Sequence, residues 1–351
     1  MTKNILENLS CPLPLSNYPQ IVLAHGGGGK LSQTLIEQIF KKNFSNELLD
    51  ELHDGAMFEI ENSRLAFSTD SYVVSPIIFP GGNIGELAVN GTVNDIAMCG
   101  AKPLYLSASF IIEEGMDTQE LNAIVISMNI AAQNAGVKIV TGDTKVVPRG
   151  KADKLFITTS GIGLIPSGRN IHPTQAQVGD KIILSGTIAD HGMAIMSVRE
   201  GLEFESEICS DTTALNGLVE TMFSASSKIR ILRDPTRGGV ASTLNELAKS
   251  SNLGIHIHEK SIPINPIVKS ACEILGFDPL YVANEGKLIA IVDSNDAENI
   301  LAAMQNHPLG KNSAIIGEVI ANHSGVVVMQ TSIGGDRVVD MISGEQLPRI
   351  C

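Results

Sequence analysis

Residues 84–145 read IGELAVNGTVNDIAMCGAKPLYLSASFIIEEGMDTQELNAIVISMNIAAQNAGVKIVTGDTK, and within them two hydrophobic periods alternate. From Ile84 to Met98 the apolar residues recur at helical spacing, and Gly100 closes the turn. Leu104 to Ile112 then alternates with the period of a strand. Asp117 through Glu120 has the form of a capping box with Asp in place of Ser or Thr. Leu121, Ile124, Val125, Met128 and Ala132 follow at helical spacing as far as Gly136. Val137 to Val140 reads as a further strand, whose end carries Thr141-Gly142-Asp143-Thr144-Lys145.

The pattern extends in both directions. Upstream, Arg64 to Ser68 reads as a strand ending at Thr69-Asp70. Before it come a Pro-containing opening, the loop His25-Gly26-Gly27-Gly28-Gly29-Lys30, and an amphipathic helix over about Leu31 to Lys41. Downstream, Leu155 to Leu164 is another strand, and from Pro166 to Gly179 periodicity lapses. Lys181 to Ser185 then restarts with a strand, and a helix lies near Asp190 to Glu200. Short strands mixed with helices predict an α+β chain. The expected divisions are a lead-in over 1–43, a first domain over 44–166, a second α+β domain over 167–335, and a mobile tail over 336–351 that ends in Gly344, Pro348 and Cys351.

A formal net charge of −13 opposes a nucleic-acid backbone, and no local basic patch offsets it. The opening has no basic start followed by an apolar run, and no stretch approaches the ~20 apolar residues of a membrane span, so a cytoplasmic location is expected. Cys11, Cys99, Cys209, Cys272 and Cys351 are widely spaced and odd in number, with no CxxC pair, which predicts free thiols. The first four read as small apolar residues. Cys351, the last residue, stands apart.

The residues with chemical capacity fall into four groups. Asp70, Asp95 and Asp143 are carboxylates of the first domain, suited to magnesium or, for Asp95 on its helical stripe, to a structural role bonded to backbone amides. His25 to Lys30 offers successive amides and an ammonium, either an anion cradle or a flexible turn, without the full GxxxxGK[ST] spacing. Lys145 has phosphate or Asp143 itself as partner. Arg233 to Gly239 brings two guanidinium groups to a helix start, and Glu285 precedes a strand as either a general base or a surface turn residue. His256 and His258 share a strand face, although paired strand histidines more often face solvent. A thiolate at Cys351 is disfavoured by its own α-carboxylate and needs nearby positive charge, from Arg349 or from a site that the tail enters.

Phe67-Ser68-Thr69-Asp70-Ser71, Ile84 to Gly100 with Asn94-Asp95, Thr141 to Lys145, Arg233 to Gly239, and Asn284-Glu285-Gly286 together resemble the superfamily of aminoimidazole ribonucleotide synthetases and selenophosphate synthetases over nearly the whole chain. The ending Pro348-Arg349-Ile350-Cys351 is similar to that of the HypE family of hydrogenase-maturation carbamoyl dehydratases within it. The purine enzymes lack this tail. Selenophosphate synthetases use a reactive Cys or Sec beside a Lys near their start, a neighbour Cys11 does not have.

The resemblance implies a two-domain aminoimidazole ribonucleotide synthetase-like fold whose first-domain sheet forms a β-barrel across a homodimer. It also implies ATP and Mg²⁺ held by Asp70, Asp95 and Asp143, with Lys30, Asn94 and Thr144 at the nucleotide. Lys145, Glu285 and Cys351 would be the catalytic residues. The implied reaction is ATP-dependent dehydration of an S-carbamoyl group on Cys351 to a thiocyanate, which supplies a cyanide ligand for hydrogenase iron. A HypF carbamoyltransferase would be the donor and a HypC–HypD iron-scaffold complex the acceptor.

Overall fold

The structure, a computed structural model, describes residues 20–202, 207–342, 344, 347 and 349–351. The Pro-containing opening with Cys11, and Pro348 of the terminal motif, lie outside the described residues. The strands in chain order are β1 (Ala56–Ile60), β2 (Ser63–Tyr72), β3 (Ile78–Phe79), β4 (Gly82–Asn83), β5 (Lys102–Glu113), β6 (Lys138–Val147), β7 (Leu155–Ile165), β8 (Lys181–Leu184), β9 (Ile229–Arg233), β10 (Gly254–His258), β11 (Ile289–Val292), β12 (Ala314–Ile320), β13 (Val327–Gln330) and β14 (Asp336–Val339). One sheet has the order β1-β2-β7-β5-β6. A second has the order β14-β13-β10-β12-β8-β11-β9, and β3 and β4 form a small hairpin.

The helix Ile84–Met98 lies against β2, β5 and β7. Asn83 Oδ1 caps it by accepting from the Gly85 and Glu86 amides. Its residues are buried except Glu86 and Asp95, which are half-buried. A helix apolar on every side is a core helix, and its last turn, with Ala97 and Met98, packs into the cluster beneath the second sheet around Leu218, Met222 and Leu232. It therefore ties the two halves together. Asp117 caps the helix Thr118–Ala135, and Gly136 ends it in the left-handed conformation, as the spacing predicts.

Two strands outrun their predicted ends. The loop positions expected for Asp70 and Asp143 are corrected, because both lie within ladders, β2 and β6. The polar continuation is stabilised by hydroxyl pairs between neighbouring strands: Thr69 Oγ1 meets Ser160 Oγ at 2.8 Å, and Ser71 Oγ meets Thr158 Oγ1 at 2.9 Å.

Among the described residues the first sheet is open, with β1 and β6 at its edges and no closure into a barrel. Both faces of β6 are exposed, including Ile139, Val140 and Val146. The expected tail over 336–351 also needs correction at its start. Asp336–Val339 is a strand paired antiparallel with β13, because Val338 and Val339 continue the alternation of the second sheet. Cys209, expected to pack as a small apolar residue, is exposed, whereas Cys99 and Cys272 are buried; the thiols among the described residues are free.

Candidate active site

Five parts of the chain meet at one crevice. The end of β2 brings Asp70, and the core helix brings Asp95. The turn after β9 carries Asp234 and Arg237 to the start of the helix Gly239–Ser251. The loop before β11 brings Glu285, and the chain terminus brings Cys351. The Glu285 loop is fixed from behind by Asn284, whose side chain accepts from Ala189 N at 2.8 Å and donates to the Pro235 carbonyl at 2.9 Å. Only glycine fits next, since a Cβ on Gly286 would overlap the Asp211 carbonyl.

The electrostatics are those of a crowded acidic pocket. Burial holds the Asp95 carboxyl far above its usual range, and Asp234, Asp70 and Asp54 repel its charge, while Ser68 Oγ partly offsets this by donating at 2.6 Å. Asp234 is pushed up to about 6, first by burial, against the pull of Arg233. Burial likewise raises Glu285, reinforced by Asp234, Asp70 and Asp211 and opposed by Arg237, and its Oε1 accepts no hydrogen bond. Arg233 is spent on Asp54 at 2.6 Å and Glu246 at 2.7 Å.

The Cys351 thiol faces Arg237, Glu285 and Asp70. Burial pushes its pKa well above the usual thiol range, Arg237 pulls it down, and the two carboxyls push it up. Reciprocally, Arg237 is held more strongly protonated by Cys351, Asp70 and Glu285. The glycine loop packs directly on this arginine's backbone: Gly28 has φ 72°, and a Cβ there would come within 2.5 Å of the Arg237 carbonyl.

Asp70, Asp95, Glu285 and Cys351 are therefore brought together, with Asn94 bracing Glu285 by donating to its backbone carbonyl at 3.4 Å, whereas Lys30, Asp143, Thr144 and Lys145 are not. Along the ladder, Asp70 faces Thr159, Thr159 faces Ala108, and Ala108 faces Gly142. Three steps of ~4.8 Å separate Asp70 from the Asp143 region by roughly 14 Å, too far for one ion to take both within a chain. Asp143 instead pairs with Lys145 at 2.7 Å on the exposed edge and accepts from Thr144 N at 2.8 Å. Lys30 is engaged by Asp340 at 2.5 Å. Asn94 spends its amide on the backbone, accepting from Leu215 N at 2.7 Å and donating to the Thr213 carbonyl at 3.0 Å, which suits a brace between the halves.

Among the described residues, no group of three His, Cys, Asp or Glu side chains is poised to hold a metal by itself; His256 and His258 stack edge to face, at 4.9 Å between ring centroids. The acidic pocket nonetheless fits a divalent cation that brings its own oxygen ligands. Asp54, Asp70, Asp95, Asp234 and Glu285 face only two guanidinium groups, and Asp54 Oδ2 is buried without a partner. The Arg233–Gly239 motif carries both guanidinium groups, and nothing in its spacing separates the structural Arg233 from Arg237 near the thiol. His191 is unmarked in the sequence, since a lone histidine on a buried helix carries no spacing signal.

Comparison with known proteins identifies the family. Models of the AIR synthase related protein family match residues 52–165 (N-terminal domain) and 177–330 (C-terminal domain). Carbamoyl dehydratase HypE of Bradyrhizobium diazoefficiens is 57% identical over 330 residues, covering 94% of this chain and 95% of that one. A crystal structure of a HypE–HypF complex superposes with a TM-score of 0.84 at 49% identity, over 88% of this chain and 99% of that one. A HypE structure in complex with ATP gives a TM-score of 0.80 at 49% identity, over 95% and 100%. No helix among the described residues is long and apolar enough to cross a membrane. With both family models matched in order and more than half of its residues identical to a HypE across nearly all of its length, the chain belongs to the carbamoyl dehydratase HypE family of AIR synthase related proteins.

Proposed function

We propose that the chain dehydrates a carbamoyl group carried on its own Cys351, using ATP, and so makes a thiocyanate for maturation of a hydrogenase. The observation that carries this reading is the terminal thiol hydrogen-bonded to Glu285, within electrostatic reach of Arg237 and Asp70. An amide oxygen leaves poorly, so loss of water from Cys351–S–C(=O)NH2 requires that oxygen to become phosphate.

Transfer of the γ-phosphoryl group of ATP to the carbamoyl oxygen forms an O–P bond, breaks the bond to ADP, and releases one nitrogen proton. Breaking the C–O bond then expels phosphate, and the second nitrogen proton leaves as C≡N forms. Glu285 is the acceptor for the first of these protons, hands it to the departing phosphate, and is then free for the second: its Oε1 has no hydrogen bond, and burial makes its carboxylate a stronger base than an exposed one. Arg237 balances the negative charge that gathers beside the sulfur.

Asp70 and Asp95, with Asp234 and Asp54 behind them, are the oxygen donors for magnesium, which supplies positive charge to the phosphates when bound. Asp143, Thr144 and Lys145 reach a nucleotide only when a second copy pairs along the open β6 edge, so the active form is a homodimer. Lys30 joins the site by exchanging Asp340 for phosphate. A HypF carbamoyltransferase supplies the carbamoyl group, and a HypC–HypD iron scaffold accepts the cyanide.

The test is the intact mass of carbamoyl-loaded protein before and after MgATP, with peptide mapping. Loss of one water from Cys351 is expected, and Glu285→Gln should retain the carbamoyl group. ATP consumption with the carbamoyl mass unchanged in the unsubstituted protein would overturn the reading.

A further inference from the structure

The backbone oxygens of the last three residues each have a partner. Arg349 O accepts from Ser75 N at 3.3 Å and from the Arg199 guanidinium, and Cys351 O accepts from Val73 N at 3.0 Å. Between them, Ile350 O faces the opposite way and meets His191 Nε2 at 2.8 Å. The terminus thus runs antiparallel to Val73–Ser75 through the Ser75 and Val73 amide hydrogen bonds, after a left-handed turn at Arg349 (φ 52°), and is closed on its far side by the helix Asp190–Arg199.

The His191 ring has little freedom. It is fully buried, its Nδ1 meets Ser210 Oγ at 2.8 Å, and Phe79 stands edge-on to it at 5.6 Å. Burial lowers its pKa, reinforced by Arg199 and opposed by Asp211 and the Ile350 carbonyl, so the ring is neutral. A carbonyl only accepts, which places the hydrogen on Nε2 and leaves Nδ1 to accept from the Ser210 hydroxyl. Ser210 is itself fixed, its amide on the Pro80 carbonyl and its Oγ accepting from Thr212 N at 3.1 Å.

We propose that His191 is a positioning residue for Cys351: by holding the Ile350 carbonyl, it fixes the terminal strand in the register that sets the sulfur, rather than the isoleucine side chain, against Glu285 and Arg237. A slip of one residue exchanges the two faces of an extended chain, so holding a carbonyl is equivalent to choosing which side chain enters the site. Contact through the backbone leaves the sulfur unencumbered whether it bears hydrogen, carbamoyl or cyanide. The inference deepens the proposed function, since it is the sulfur of that reaction that His191 registers.

The test uses the full-length protein and two readouts: the rate at which a small maleimide alkylates Cys351, followed by peptide mapping, and single-turnover thiocyanate formation. His191→Leu should speed alkylation about tenfold, the effect of one lost hydrogen bond, and slow thiocyanate formation, with MgATP affinity unchanged. His191→Gln, whose amide can still donate, should recover most of the protection. Ser210→Ala, a milder change, should shift alkylation in the same direction if His191→Leu does not fold. Unchanged alkylation in both His191→Leu and Ser210→Ala, or equal loss in His191→Leu and His191→Gln, would overturn the proposal. Protection with the expected variant pattern but no thiocyanate from the unsubstituted protein would leave the clasp standing and remove the dehydratase reading instead.

Discussion

Shortening Ile350 measures how firmly the terminus is held. Its side chain is 3% exposed, packed in the core cluster that includes Ala189, Met193, Val282 and Ala283. Released into water, the same side chain is fully hydrated, so its burial favours the docked state directly. Ile350→Val removes one buried carbon and Ile350→Ala three, which at ~0.8 kcal/mol each weakens docking by about 0.8 and about 2.4 kcal/mol. At about 1.4 kcal/mol per decade these are roughly fourfold and fiftyfold changes in the docking equilibrium. The backbone contacts to Val73, Ser75 and His191 survive both substitutions, so the comparison isolates the side chain. Alkylation of Cys351 by a maleimide, fast from the released tail and slow from the docked one, should accelerate by those two factors. Both variants lying within about twofold of the unsubstituted rate would refute the idea that burial of Ile350 holds the tail.

Arg237→Gln removes the cation that draws the docked Cys351 thiol pKa downward, so the ultraviolet absorbance of its thiolate, read on the docked protein, should appear at higher pH, and an unmoved onset would dissociate the two residues. Asp234, pushed up to about 6, binds more protons when folded than when unfolded, where an aspartate titrates near ~3.9. The ligand-free protein should therefore lose stability as pH rises from about 4 to about 6, and Asp234→Asn should flatten that fall in thermal melts. The same substitution, or Asp95→Asn, should raise the melting temperature without ligand, since a repelling carboxylate is lost, yet shrink the shift produced by MgATP if these carboxylates hold the cation as proposed. If the proposed dimer forms along β6, Val140→Asp, on that exposed edge strand, should leave a monomer in sedimentation and abolish ATP turnover while the monomer keeps its helix content.

Local patterns carried much of this protein's description. Asp117 and Gly136 punctuate a helix because capping and left-handed backbone are settled by neighbouring residues, so the sequence alone placed that helix and its ends. The alternation of periods likewise gave the α+β class. Asp70, Asp95, Glu285 and Cys351 were legible as candidates because carboxylates and a thiol in motif context announce chemistry, and the tertiary structure places them in one crevice.

What the sequence could not decide depends on neighbours distant along the chain. Strands β2 and β6 run on through polar residues, because hydroxyls on β7 answer those of β2, and because β6 draws its ladder from β5. Strand spacing keeps Asp143 and Lys145 away from Asp70 within one chain, a consequence of sheet order that no linear motif contains. Arg233 and Arg237, four residues apart and chemically alike, part company only when folding buries one among Asp54 and Glu246 and turns the other toward Cys351. His191 acquires its role solely from where the last residues dock. The sequence by itself determined which residues have chemical capacity and where local helices begin and end, since those follow from side-chain identity and short-range backbone energetics. The tertiary structure decided which of them share a crevice, how crowding shifts their protons, and which face of the terminal strand presents its sulfur, since these depend on distances set by the packing of residues far apart in the chain.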